Sequence, residues 1–206
     1  KTKLQFVKWF PQNYFFENQL ISSFNIGNEP LANTLEHYES ILTLMPLSYS
    51  TGIVHFRLGQ IQARILQDYT GANKSYEAAL KSNPSQSLIN KINLQVGEML
   101  LLSGNFKEAE KYYKPVSNQN IEKNTVQYLK SLLFQQNIDK SISFLDSVIT
   151  ELNPNHILFN DLLEIHDLLI SNYVDGTKDD KLALKLFFNA ESLIYQNKNL
   201  EALSIL

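Results

Sequence analysis

GANKSYEAALKSNP, residues 71–84, places Ala72, Tyr76, Ala79 and Pro84 at spacings of four, three and five. Positions i, i+4 and i+7 share one face of an α-helix, so Ala72, Tyr76 and Ala79 form a stripe. The alanines let a neighbouring helix come close, the tyrosine ring fills the space beside them, and Pro84 punctuates the end. The segment reads as one half of a helical hairpin. Just upstream, Val54, Leu58, Ile61 and Ile65 recur at four, three and four and predict a helix over 52–67 with these residues as its core stripe.

The pattern returns along the chain. Thr34, Tyr38, Ile41 and Pro46 repeat the four, three, five spacing, and Tyr38 stands thirty-eight residues before Tyr76. Ala109, Tyr113 and Val116 repeat it thirty-seven residues after Tyr76, and Ser141, Leu145 and Val148 repeat it again, with Pro154 one place late. Between these stripes, helices are predicted over 12–25, 52–67, 88–103 and 124–135. One hairpin of this size cannot bury its apolar face alone, so the units must stack. Nearer the C-terminus, Asn155 to Asn172 reads as one helix. The loop VDGTKDD is capped by Asp179 or Asp180, and a helix follows over 181–196 with the stripe Ala183, Phe187 and Ala190. Taking QNKNLEA as the hairpin turn gives the same helices with a different pairing.

Composition agrees with a helical reading. Of 206 residues only 7 are glycine and 6 proline, and the net charge of −3 does not suggest a nucleic-acid partner, which calls for a basic surface. There is no cysteine, which removes disulfides, thiolate metal sites and cysteine nucleophiles. No uncharged apolar run approaches the roughly eighteen residues of a membrane span. The chain begins at Lys1 and stops at ALSIL inside an apolar helical pattern. It therefore reads as a soluble fragment without its natural ends or any export signal, which leaves cytoplasm and periplasm open.

These residues resemble the tetratricopeptide repeats, whose unit is a helical hairpin of about thirty-four residues. The resemblance rests on Leu58, Gly59, Tyr69, Ala72, Tyr76, Ala79 and Pro84 in one unit. In the next it rests on Val96, Gly97, Leu100, Gly104, Phe106, Ala109, Tyr113 and Val116. The spacing is degenerate, since one extra residue separates Gly59 from Tyr69 and Ile121 stands where the third unit would close on proline. The resemblance implies an all-α fold of antiparallel hairpins stacked into a right-handed solenoid. Hairpins are expected over 12–46, 50–84, 87–117, 124–153 and 156–196, with a further helix from 199 to 206. The segment ALKLFFNAESLIYQNKNLEALSIL is also similar to exported bacterial repeat proteins associated with secretion and gliding machinery.

No catalytic or cofactor constellation emerges. His37, His55, His156 and His166 fall on separate segments without an HExxH pair, and no GxxxxGK[ST] or GxGxxG phosphate cradle is present. The loop DGTKDD lacks the alternating acidic ligands of a calcium site, and Glu164, His166 and Asp167 diverge around their helix. FVKWFP, around Trp9, reads as a cover for the open end of the stack. No enzymatic activity and no cofactor are expected.

One constellation points to a partner. Arg57 and Arg64, the only two arginines, lie seven residues apart with Gln60 between them, a quarter-turn from the Val54 stripe and so expected at the surface. In the family this sequence resembles, the first helix of each hairpin lines the surface where extended peptides bind. Carried to later first helices, that implication adds Lys91, Gln95, Lys123, Gln127 and Lys130. Such a groove, basic and rich in amides, suits an acidic or carboxylate-bearing peptide. The expected function is a non-catalytic protein-interaction scaffold, with a structural spacer in a larger assembly as the alternative. On that alternative Arg64 simply pairs with Asp68 one turn on.

Overall fold

The computed structural model describes residues 28–113 and 121–205, which are all-α with no strand among them. Ten helices follow in order: α1 Asn28–Leu44, α2 Tyr49–Arg64, α3 Tyr69–Lys81, α4 Gln86–Leu102, α5 Phe106–Tyr113, α6 Ile121–Phe134, α7 Ile138–Glu151, α8 Phe159–Leu169, α9 Lys178–Tyr195 and α10 Asn199–Ile205. A π-helical turn, Ile170–Val174, extends α8. The expected helix over 12–25, the FVKWFP segment and Val116 lie outside the described residues. The chain divides into two compact units within α4, one ending at Met99 and the other running from Leu100.

In the first unit α2 packs against α1 and, more extensively, against α3. The α3 stripe is fully internal, with Ala72, Tyr76 and Ala79 all at or below 1% exposure. What α2 presents to it differs from the sequence expectation. Its buried stripe is Gly52, Phe56, Gly59 and Ala63; of the expected stripe on the opposite side Leu58 is buried, but Val54, Ile61 and Ile65 are only half-buried. The reason is steric. The Tyr76 ring lies so close to α2 that a Cβ on Gly59 would come within 2.6 Å of Tyr76 Cε1. The Phe56 ring stands 6.2 Å from the same tyrosine, between centroids. A search for large apolar residues passes over a ridge made of glycine and alanine.

Local signals fix the ends of these helices. Ser48 and Thr51 form a reciprocal capping box: the Thr51 N–H donates to Ser48 Oγ and the Ser48 N–H donates to Thr51 Oγ1 at 2.7 Å. The Asp68 carboxylate caps α3 by accepting from the Gly71 N–H at 2.9 Å.

The second unit is built around Val126, Leu129 and Leu133 of α6, Ile138 and Leu145 of α7, Leu162, Ile165 and Leu169 of α8, and Leu184 and Phe188 of α9. Ala109, Tyr113, Ser141 and Leu145 are all fully buried, so the stripes in α5 and α7 face inward. Of the stripe expected in α9, Ala190 is buried and Phe187 packs on the core, but the main buried face runs one residue later. Ala183 is exposed, whereas Leu184, Phe188, Glu191 and Tyr195 are buried along one face. Helix α8 begins at Phe159 rather than near Asn155, and α9 is capped by Thr177, whose hydroxyl accepts from the Asp180 N–H.

Three turns in this unit close by the same device. Gly104, Gln136 and Asn197 take φ of 80°, 57° and 62°. At each, this residue's N–H donates to the carbonyl three residues back, and the next N–H to the carbonyl five residues back from itself. This arrangement satisfies the last carbonyls of α4, α6 and α9 before the chain reverses.

Candidate partner-binding surface

Arg64, at the end of α2, donates from Nη2 to Glu98 Oε2 of α4 at 2.6 Å, and Gln95 Nε2 donates to the same oxygen at 3.3 Å. Glu98 and Gln95 are buried and Arg64 is half-buried, so the pair is largely withdrawn from solvent. The Tyr76 hydroxyl is buried nearby without a hydrogen-bond partner. Burial pushes its phenol up, with Arg64 pulling it down and Glu98 pushing it further up. Arg64 therefore does not stand open to a ligand, and its carboxylate partner is Glu98, not Asp68, which is occupied with capping α3.

The other members of the expected groove separate into open and covered residues. Arg57 is exposed, lies 5.8 Å from the centroid of the Phe56 ring, and donates to Gln60 Oε1 at 2.9 Å. Lys91 is exposed on α4, and Lys123 is half-buried at the start of α6. The expectation of an open surface does not hold for Gln95, Gln127 and Lys130, which are 7%, 4% and 1% exposed. Gln95 is drawn to Glu98, while Lys130 lies under α9 with its ammonium 4.5 Å from the centre of the Tyr195 ring. The signal that hides Lys130 is a helix some sixty residues further along the chain, which local spacing does not contain.

Two histidines lie against carboxylates of neighbouring helices. His166 Nε2 lies 2.9 Å from Asp146 Oδ1 and links α8 to α7, and His156 Nε2 lies 3.5 Å from Glu122. Burial holds His55 below the ordinary histidine range. Among the described residues no group of three His, Cys, Asp or Glu side chains could hold a metal ion. No helix among them is long and apolar enough to cross a membrane.

The family model for the soluble NSF attachment protein, SNAP, matches residues 28–143, from the first turn of α1 into α7. The chain belongs to the SNAP family. This is an all-α, helical-repeat family of protein-interaction adaptors, non-enzymatic in type. The tetratricopeptide resemblance thus holds at the level of a helical repeat, and the SNAP match carries no link to exported bacterial proteins. No curated protein and no solved structure matches the chain.

Proposed function

We propose that this SNAP-family chain is a non-catalytic adaptor that takes an acidic segment of a protein partner, with Arg57, Gln60 and Lys91 as its leading contacts. The observation that carries the reading is one of position. Arg57 and Lys91 each stand seven residues, two helical turns, before a member of the Arg64–Glu98 pair, so each lies on the same face of its helix as that pair. Both are exposed, and Arg64, neutralised by Glu98, serves to hold the two helices in register. Arginine steadied by an amide suits a carboxylate because its fork can donate two parallel hydrogen bonds.

The family's name makes NSF one partner to test. The experiment is a pull-down with the protein, followed by titration of the parent and of the double variant Arg57→Glu/Lys91→Glu against NSF and the recovered partner, with thermal melts alongside. Weakened binding at an unchanged melting temperature is expected. Affinity should also fall as salt rises, because exposed charges are screened over about 8 Å at physiological ionic strength. Equal affinities would overturn this reading and favour the spacer.

A further inference from the structure

Helix α6 is enclosed from Thr125 to Phe134. One of its faces carries Lys123, Gln127, Lys130 and Phe134, at i, i+4, i+7 and i+11. Helix α9 carries Leu184, Phe188, Glu191 and Tyr195 at the same spacing, and the two helices are in contact. The Tyr195 ring caps the Lys130 ammonium and stands 5.7 Å from the Phe134 ring, between centroids. An amphipathic helix seated on another element through i, i+4 and i+7 anchors is a familiar mode of recognition between proteins. Here it occurs within one chain.

The two halves of α9 are held differently. Leu184 and Phe188 belong to the apolar core with Leu162, Ile165 and Leu169. Beyond Phe188 the buried residues are mainly polar or amphipathic: Glu191, Ser192 and Tyr195 on α9, with Gln127 and Lys130 on α6. Buried charge gives back in desolvation much of what pairing gains, and the Gln127 Oε1 is buried without a hydrogen-bond partner. Helix α10, which follows, packs against α9 and buries only the small Ala202, while Leu200 and Leu203 stay exposed. The C-terminal half of α9 is thus specifically seated but less firmly held than the half before it.

We infer that the Lys123–Gln127–Lys130 face of α6 is a second helix-docking surface, held closed by α9 beyond Phe188, and that its external ligand is an amphipathic helix presenting a carboxylate and, one turn later, an aromatic ring. This rests on the adaptor reading. Opening requires that α9 beyond Phe188, together with the α10 packed against it, detach while Leu184 and Phe188 stay in the core. The Lys130 ammonium and the Gln127 acceptor then become available to a competing helix of the same chemistry. A partner meets a fraction of competent molecules, and its apparent affinity falls by that fraction.

The probe is a labelled synthetic peptide spanning residues 182–198, titrated with the full chain. Tyr195→Ala removes the ring over Lys130 and should bind the peptide about tenfold more tightly than the parent, as the open fraction rises. Tyr195→Phe keeps the ring and should behave like the parent. Native-state hydrogen exchange on the unaltered chain should show weaker protection over 189–205 than over 159–169. Equal protection of the two segments overturns the inference, whether or not Tyr195→Ala folds, and so does peptide affinity unchanged by Tyr195→Ala in a folded variant. Arg57→Glu/Lys91→Glu lies in the other unit and should leave the peptide titration unchanged, so failure of the adaptor site and failure of the α6 face are read separately.

Discussion

Arg64 and Glu98 stand 34 residues apart in the sequence and 2.6 Å apart in space. The pair ties α2 to α4, two helices that the intervening α3 separates in sequence. A largely buried ion pair adds little net stability, because desolvation offsets its attraction, but it penalises any other register by leaving a poorly solvated charge without its partner. Arg64→Ala should therefore cost about 3 kcal/mol, the lower end of the range for breaking a buried pair. Arg64→Met with Glu98→Met should recover most of that loss. Urea melts of the two single variants and the double variant test it, and additive losses would remove the coupling.

The contact between Gly59 and Tyr76 predicts destabilisation from both sides. Gly59→Ala drives a methyl into a buried ring and should cost about 1–3 kcal/mol, although alanine is the better helix former. Tyr76→Ala and Tyr113→Ala each empty a fully enclosed site and should cost about 3–5 kcal/mol. Melting of all three variants close to the parent would mean that these rings are not the wedges between helices.

What the sequence made legible, and what it hid, divides by range. The stripes Ala72–Tyr76–Ala79 and Ala109–Tyr113 were readable because large and small residues alternate at helical spacing, and both are buried. The partner face of α2 was not, since its ridge is Gly52, Gly59 and Ala63 around Phe56, and glycine registers as a break rather than as a core position. Lys91 entered through the tetratricopeptide resemblance and Arg64 is half-buried against Glu98, so among these cations only the exposure of Arg57 followed from helical phase. The burial of Lys130 and Gln127 did not, because the helix that covers them is distant in sequence and only the folded unit brings it there.

The three left-handed turn residues differ in cost. Gly104 takes a positive φ without strain, and Asn197 tolerates it. Gln136, at φ 57°, does neither. Its side chain is exposed, so little packing is lost on removing it. Gln136→Gly should stabilise the protein by up to about 1 kcal/mol, less the backbone entropy that glycine adds to the unfolded chain. Gly104→Ala should destabilise. A fall in melting temperature for Gln136→Gly would show that the turn is held by the glutamine side chain instead.

Two aspartates should respond to acid in opposite directions. Asp180 accepts from the Thr177 hydroxyl at 2.7 Å and from the Thr177 N–H at 2.9 Å, and these bonds hold its carboxyl below the ordinary 3.8. A lowered folded pKa means that the stabilisation is complete above 3.8 and is lost as pH falls through the folded value. Asp161 is the reverse case. Its place in the first turn of α8 favours a negative charge, but burial and the neighbouring Glu164 outweigh that and raise its carboxyl above 3.8. Ionised Asp161 therefore opposes folding at neutral pH, and the opposition disappears as pH falls through its raised value. Asp161→Asn should raise the melting temperature at pH 7 and leave it unchanged well below 3.8. Asp180→Asn should lower it at pH 7, with the difference shrinking in strong acid. Thermal melts of the parent and both variants between pH 7 and pH 3 distinguish the two. A stabilising Asp180→Asn, or a destabilising Asp161→Asn at neutral pH, would reverse the electrostatic assignment at that helix start.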